Sequence, residues 1–233
     1  MILAYYKHIF FDLDHTLWDY DANASAALFE LYDHYKFSDL AIFTKEELVR
    51  TFFEVNYELW GLYNNHRIGR GDIRKRRFPQ IFQKLRADIK HLPENLESEY
   101  IGLAPTKPAV FPDAFEVLDY LAGKYKLHLI TNGFNDIQQT KLKYSKLESY
   151  FGHVVTSESS KARKPNKRIF EVAFELTGAS VFDSIMIGDN IDADIAGAQG
   201  IDMDHVWFNP KREVPKFKVQ HNISNLLQLK SIL

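Results

Sequence analysis

The sequence predicts an α/β fold, a doubly wound parallel sheet with an inserted all-helical domain. The apolar run at residues 8–11 ends in acidic residues, as a buried strand does when it delivers charge to the edge of a sheet. From residue 126 onward, β-rich runs alternate with helical stretches, which is typical of parallel sheets covered by helices on both faces. The segment 12–125 between the first two strands is mostly helical in pattern and far exceeds the roughly 30 residues that a βαβ unit needs.

The helical insertion begins soon after the first strand. Asn23 or Ser25 is available to cap its first helix, and Thr44 with Glu47 three positions later forms the pattern of a capping box for the second. Pro79 should bend or break the third helix. The predicted helices of the insertion span residues 21–35, 45–63, 72–90 and 93–102.

Prolines at 105, 108 and 112 mark the return to the sheet, so we place the insertion at 19–105 and the core at 1–18 and 106–233. The core segments follow in order. The predicted strands span residues 126–130, 153–156, 184–187 and 204–208. The predicted helices span residues 113–124, 135–150, 166–177 and 192–199.

The composition excludes several function classes. The chain has 233 residues, a formal net charge of -2 and no cysteine. Disulfides, thiol nucleophiles and thiolate metal sites are therefore excluded, and hard cations with oxygen ligands are the metals to expect. This net charge gives no reason to expect a nucleic acid polymer, an acidic membrane surface or a strongly charged protein as partner, and it leaves small polar substrates open. The start lacks the pattern of a signal peptide, so we expect a cytoplasmic protein. We also expect a monomer or a weak homodimer.

Asp12, Asp14 and Thr16 follow the first predicted strand directly. Carboxylates two positions apart on an extended segment point the same way, so each resists ionisation unless a cation shares the site. The alternative is a capped turn in which Asp14 or Thr16 bonds backbone amides. Reactive groups after the other strands favour the functional interpretation.

Four separate segments thus bring polar groups to one edge of the sheet, where open α/β sheets bind ligands. Thr131 begins a Thr-Asn-Gly turn, Lys164 precedes a predicted helix, and Asp189 opens an acid-rich loop. Carboxylates without cysteine or a histidine cluster favour Mg²⁺, which binds well to phosphate oxygens. Thr131 and Lys164 would bind the remaining phosphate oxygens, and one carboxylate could act as a nucleophile, so the sequence predicts phosphoryl transfer.

These motifs resemble those of the haloacid dehalogenase superfamily, in particular its phosphatases with a helical cap inserted after the first motif. The resemblance lies in Asp12-x-Asp14-x-Thr16, Thr131, Lys164-Pro165 and Gly188-Asp189 with Asp194, in that order. The sequence around these motifs is most similar to the branch of pyrimidine nucleotide 5'-phosphatases and N-acylneuraminate-9-phosphatases. The resemblance implies a HAD-like Rossmannoid core and a cap over the site.

The resemblance also implies roles for the acidic residues. Asp12 would be the nucleophile that forms an aspartyl phosphate, and Asp14 the general acid and base. Mg²⁺ would be bound by Asp12, Asp189 and the backbone carbonyl of Asp14. Asp194 would lie behind these ligands and orient water or the lysine. Asp192 is the spare acid, which we interpret as facing solvent or capping a helix.

The remaining implied roles concern the transferring phosphoryl group. Thr131, Asn132 and Gly133 would hold it through a hydroxyl and the amides of the turn. Lys164 would neutralise charge on it and on the nucleophile, so Thr131 and Lys164 count among the catalytic groups.

Other conspicuous side chains have simpler interpretations. Trp18 is more easily explained as a packed aromatic, and His15 as part of the local structure of its motif, than as substrate contacts. Three aromatic residues with helical spacing favour a stripe in the core of the cap over a surface for base stacking: Phe53, Tyr57 and Trp60. A run of basic residues favours a solvated helix face over a positively charged surface that attracts an anionic substrate. These residues are Arg67, Arg70, Arg74, Lys75, Arg76 and Arg77.

The sequence thus predicts a Mg²⁺-dependent phosphomonoester hydrolase, with nucleoside 5'-monophosphates, pyrimidine before purine, as its substrates. Sugar or acid phosphates, pyrophosphate and a phosphomutase reaction are the alternatives within the fold. A haloacid dehalogenase would not need Asp14, and a non-catalytic binding module would be expected to have lost one of the reactive residues, none of which is missing.

Overall fold

A computed structural model describes residues 6–233 and contains a six-stranded, all-parallel sheet of order β3-β2-β1-β4-β5-β6. This confirms the predicted doubly wound α/β fold. The strands are β1 (His8–Phe11), β2 (Lys126–Thr131), β3 (Phe151–Thr156), β4 (Ser184–Gly188), β5 (Asp204–Phe208) and β6 (His221–Ile223).

The central strand β1 is buried along its whole length and pairs with β2 on one side and β4 on the other. From β1 the chain proceeds outward through β2 and β3, then crosses back to β4 and proceeds outward in the opposite direction. Such a reversal opens a crevice beyond the carboxyl ends of the strands on either side of it. Asp12 follows β1 directly, and Asp189 follows β4, so both lie at that point.

The chain divides into two compact units. One comprises the N-terminal segment through Tyr20 together with Pro108–Leu233, and the other is Asp21–Lys107. The helices of the first half of the chain are α1 (Tyr20–His34), α2 (Lys45–Asn64), α3 (Arg70–Lys84) and α4 (Leu96–Leu103).

The start of α2 is as predicted, because the Thr44 hydroxyl accepts the Glu47 amide at 3.1 Å and the Glu47 carboxylate accepts the Thr44 amide at 2.8 Å. The cap assignment for α1 was wrong. That helix begins at Tyr20, so Asn23 lies inside it and is buried, and the Ser25 hydroxyl donates to the carbonyl one turn back.

The third helix differs from its prediction in two ways. It runs through Pro79 without a break, and it ends at Lys84 rather than at residue 90. It ends there because Arg86 adopts a left-handed conformation with φ of 56°, which no α-helix can continue.

The aromatic stripe on α2 was assigned wrongly to the core of the insertion. Phe53 and Trp60 are only partly buried and Tyr57 is 45% exposed, whereas the neighbouring Phe52 and Leu59 are fully buried. Both sets of residues have helical spacing, so periodicity could not decide which one faces inward.

Arg77 is also placed differently from the solvated face predicted for the basic run. Its side chain is buried, forms an ion pair with Glu97 at 2.5 Å, donates to Asn56 and lies over the ring of Tyr100 at 4.7 Å. Within the same run, Arg67, Lys75 and Arg76 are exposed.

The sheet is covered by helices α5 to α8, and one apolar cluster lies on each of its faces. The predicted helix from Asn135 is shorter than expected and ends at Tyr144, because Lys146 turns the chain with φ of 61° before β3 begins. The helices are α5 (Ala114–Ala122), α6 (Asn135–Tyr144), α7 (Lys167–Thr177) and α8 (Ala196–Gln199), with a π-helical turn at Ile191–Ile195 before α8. Within residues 6–233, no helix combines the length and the apolar character that a membrane span requires.

Candidate active site

The structure brings the predicted polar groups together at the carboxyl edge of the sheet. Asp12 follows β1, Thr131 ends β2 and Asp189 follows β4. Lys164 reaches this edge from the loop between β3 and α7. The structure thus joins residues that are separated by more than 150 positions, as the ion pair between Asp12 and Lys164 shows.

The Lys164 ammonium is the centre of the site and is almost fully buried. Its Nζ atom lies 2.5 Å from Asp12 Oδ1, 2.6 Å from Asp194 Oδ1 and 2.5 Å from the carbonyl oxygen of Ile130. Burial opposes the charged ammonium, but the two carboxylates outweigh it and raise the pKa of Lys164. Lys164 is therefore a fixed positive charge in this site.

The Asn132 side chain anchors the backbone of this lysine. Asn132 Oδ1 accepts the Lys164 amide at 2.8 Å, and Asn132 Nδ2 donates to the Lys164 carbonyl at 3.0 Å. The loop after β2 therefore positions the lysine loop.

Asp12, Asp189 and Asp194 form a cluster in which one carboxylate oxygen of each lies within 4.8 Å of the others. Three ionised carboxylates and one ammonium would leave a net charge of -2 there. Burial, with the neighbouring acids adding to it, raises the pKa of Asp12 to about 7, although Lys164 opposes the shift. Burial and the charges of Asp194 and Asp12 also raise the pKa of Asp189 well above its usual range. Such a cluster of hard oxygen donors with excess negative charge could hold a divalent cation.

Asp189 is held by its neighbours. The Thr16 hydroxyl donates to Asp189 Oδ1 at 3.1 Å and accepts the Asp189 amide at 3.0 Å, while Trp207 Nε1 donates to the Asp189 carbonyl at 2.7 Å. Sequence reasoning had assigned no role to Trp207, since an indole in a buried strand is indistinguishable from core packing.

Asp194 is in the cluster, but both of its oxygens already have partners, Lys164 at 2.6 Å and the Asn190 amide at 2.9 Å. Gly188 is required beside it, because a Cβ atom there would lie 2.2 Å from Asp194 Oδ2. Asp192 is exposed and pairs with Lys216 at 2.5 Å, outside the cluster.

The Asp14 carboxylate lies apart from the acidic cluster and contacts α6 instead. Its Oδ1 lies 2.5 Å from Lys141 Nζ, and its Oδ2 accepts from Gln138 Nε2 at 3.0 Å. Sequence reasoning missed both partners. The signal was their spacing of three on a helix that starts just after Thr131, which places two polar residues on the face turned toward that strand end.

The turn after Thr131 differs from its prediction in one detail. The Gly133 amide donates to Thr131 Oγ1 at 3.0 Å, so it does not extend toward a ligand as expected. The glycine is needed for space, because a Cβ atom at this position would lie 2.1 Å from Gln138 Nε2.

Comparison with known proteins identifies the family of this chain. Residues 6–202 match the haloacid dehalogenase-like hydrolases. The chain belongs to this hydrolase family. All four motif segments of the candidate site lie within the matched residues.

Among its relatives, this hydrolase is 30% identical over 228 residues to the pyrimidine 5'-nucleotidase YjjG of Escherichia coli, with 97% of this chain and 96% of the relative covered. It is also 30% identical over 208 residues to the pyrimidine 5'-nucleotidase PynA of Streptococcus pneumoniae, with 88% and 85% covered. A solved structure, that of the putative HAD-hydrolase YfnB from Bacillus subtilis bound to magnesium, matches with a TM-score of 0.85 at 26% identity and covers 97% of this chain and 98% of that one.

Proposed function

We propose that this protein is a Mg²⁺-dependent phosphomonoester hydrolase that acts through a phosphorylated Asp12. One observation carries the proposal. A buried ammonium holds one carboxylate, Asp12, at the end of the central strand beside two further acids, and a fourth carboxylate, Asp14, is held separately by Lys141. This arrangement offers a nucleophile, a site for a cation and an acid in one place.

The residues present suit Mg²⁺. Oxygen donors from Asp12 and Asp189 would bind it, together with the Asp14 backbone carbonyl. Asp194 would remain behind them because its oxygens are occupied by Lys164 and Asn190. Bound Mg²⁺ supplies positive charge to the phosphoryl oxygens during transfer.

In the first step, an Asp12 oxygen attacks phosphorus, and the bond between phosphorus and the leaving oxygen breaks. Lys164 neutralises charge on Asp12 and on the phosphoryl group, and the Thr131 hydroxyl donates to a phosphoryl oxygen. Asp14 gives its proton to the departing alkoxide.

In the second step, water attacks the phosphorus of the aspartyl phosphate. Asp14 accepts a proton from that water, the bond between phosphorus and the Asp12 oxygen breaks, and inorganic phosphate leaves. Asp14 thus ends the cycle protonated, ready for the next leaving group.

The substrate we propose is a nucleoside 5'-monophosphate, pyrimidine before purine. Two relatives at 30% identity are named pyrimidine 5'-nucleotidases. The insertion also carries rings outside its buried core, since Phe53 and Tyr57 stack with centroids 6.0 Å apart and Tyr57 is 45% exposed. A ring stacked on a base contributes about 1–3 kcal/mol, or one to two decades of selectivity.

The chemistry is tested by phosphate release from p-nitrophenyl phosphate. Activity should require Mg²⁺, and Asp12→Asn should abolish it, because an amide is neither a nucleophile nor a good ligand for a hard cation. Asp192→Asn is the matched control, since that acid is exposed and outside the cluster. Full activity in excess chelator or in the Asp12 variant would refute the mechanism.

The substrate class is tested separately with a panel of phosphorylated metabolites. We expect kcat/KM for UMP, dUMP or dTMP to exceed that for hexose phosphates, phosphoglycolate and pyrophosphate by at least tenfold. Tyr57→Ala should reduce this preference, whereas Tyr144→Ala, which removes an exposed ring from α6, should not. If a sugar phosphate, an acid phosphate or pyrophosphate is hydrolysed fastest, the nucleotide assignment fails and the mechanism stands.

A further inference from the structure

Two buried polar side chains on α6 contact the site although neither belongs to the four motifs. Gln138 and Lys141 lie one turn apart and are 0% and 5% exposed. Amide and ammonium groups are rarely buried so completely unless they are paired. Their pairing therefore indicates what they do.

Lys141 fixes one oxygen of Asp14. Its Nζ atom lies 2.5 Å from Asp14 Oδ1, 4.4 Å from the centroid of the Trp18 ring and 5.6 Å from that of Tyr20. The rings lie in the segment that follows Asp14, so the Lys141 ammonium contacts both the carboxylate and the aromatic side chains of that segment.

Gln138 fixes the other oxygen. Its Nε2 atom donates to Asp14 Oδ2 at 3.0 Å and to Thr131 Oγ1 at 2.6 Å, so both amide hydrogens are used. An ionised carboxylate only accepts hydrogen bonds, so in the ionised form of Asp14 it is the nitrogen of the amide that faces it. Gln138 Oε1 is buried and finds no hydrogen-bond partner within residues 6–233, so the amide is held in this orientation at the expense of its own carbonyl.

The bond to Thr131 has a second effect. A hydroxyl has two acceptor positions and one hydrogen to donate. Thr131 Oγ1 accepts from both Gln138 Nε2 and the Gly133 amide, so its acceptor positions are filled. The hydroxyl hydrogen is left to donate, which is the polarity that a phosphoryl oxygen requires.

We propose that Gln138 and Lys141 are positioning residues that hold the two oxygens of Asp14, and that Gln138 also makes Thr131 a donor toward the phosphoryl group. This inference rests on the proposed phosphatase function. It predicts different losses for the two residues, because Lys141 acts only through Asp14 whereas Gln138 acts through both Asp14 and Thr131.

The test for Lys141 compares kcat/KM for an alkyl phosphate from the metabolite panel with that for p-nitrophenyl phosphate, whose leaving group needs little protonation. Lys141→Met should reduce the alkyl value about tenfold to a hundredfold more than the aryl value, because proton delivery by Asp14 is impaired. Lys141→Arg should recover part of this difference. Lys143→Met, at an exposed lysine of the same helix, is the matched control and should leave both values near those of the wild type.

The test for Gln138 adds competitive inhibition by inorganic phosphate. Gln138→Met should weaken inhibition by phosphate about fivefold and reduce kcat/KM for both substrates. The Thr131 hydroxyl is then no longer held as a donor toward the phosphoryl group. Lys141→Met should leave inhibition unchanged. Gln138→Glu keeps the shape but presents an acceptor to Asp14 and should be more damaging. Gln139→Met, at the exposed neighbour, is the control.

A double-mutant cycle decides whether Lys141 acts through Asp14. With Asp14→Asn already present, Lys141→Met should cost less than a further twofold in kcat/KM for the alkyl phosphate. Equal slowing of both substrates in Lys141→Met, or additive losses in the cycle, would overturn the proposal. If the wild type with Mg²⁺ releases phosphate from neither compound, the proposed function itself fails.

Discussion

The Lys164 ammonium should contribute strongly to the stability of the core, and Lys164→Met tests this. The lysine is 1% exposed and bridges Asp12, which is 7% exposed, and Asp194, which is 1% exposed. Methionine fills a similar volume without charge. The substitution therefore leaves two buried carboxylates beside Asp189 without their shared cation.

Removing one partner of a buried ion pair costs about 3–5 kcal/mol. For a protein of this size, each kcal/mol corresponds to roughly 2–4 °C in Tm, so we expect a decrease of about 6–20 °C. The loss should be larger at pH 8 than at pH 5. Lys164 lowers the pKa of Asp12, so removing it raises that pKa further above about 7. The unfolded chain has Asp12 ionised at both pH values, so the folding variant must take up a proton, and this costs more stability at pH 8 than at pH 5.

The assay is urea unfolding in excess chelator at both pH values, followed by tryptophan fluorescence. Trp18 and Trp207 are buried in the core unit and report its unfolding. Lys143→Met is the control, and Mg²⁺ should return part of the lost stability, because a cation again shares the acidic cluster. A loss below about 1 kcal/mol at pH 8 would refute the view that this ammonium holds the cluster together.

Three further predictions concern other parts of the molecule. Burial and then the neighbouring His8 lower the pKa of His128 from 6.5 to about 4, so the free energy of unfolding should fall by up to about 3 kcal/mol as the pH drops through this window. His128→Leu should make the free energy of unfolding, measured with urea, depend less on pH. Equal pH dependence in the variant and the wild type would contradict this. Gly133→Ala should displace Gln138 and weaken inhibition by inorganic phosphate as Gln138→Met does; unchanged inhibition would show that the turn can adjust. Arg77→Leu should destabilise the insertion by about 3 kcal/mol because Glu97 loses its partner, which hydrogen exchange of α3 and α4 would measure, with Arg76→Leu as the exposed control.

The elements with strong local signals could be predicted from the sequence. The apolar run before Asp12 and the alternation after residue 125 identified the central strand and the parallel sheet. The capping box at Thr44 located the start of α2. The three-residue strand β6 was missed, because it is too short for its alternation to stand out and it depends on pairing with β5.

Errors arose where two local patterns were equally good. Phe52 and Phe53 both lie on rows with helical spacing, and only packing decided that Phe52 faces inward. Arg77 looks like the other basic residues of its run. Its burial depends on Glu97, which is 20 positions away in the chain and whose proximity no local pattern encodes.

For the candidate site, the sequence by itself determined which chemical groups arrive at the edge of the sheet. Parallel strands all present their carboxyl ends at one edge, so a polar residue that follows a buried strand has its destination fixed by the strand's direction. Asp12, Thr131 and Asp189 were found in this way. Tertiary structure alone decided how these groups are paired. Hydrogen bonds and ion pairs require donor and acceptor atoms of distant segments to be placed to within a few tenths of an ångström. That is why the partners of Asp14 on α6, Gln138 and Lys141, became visible only in the folded chain.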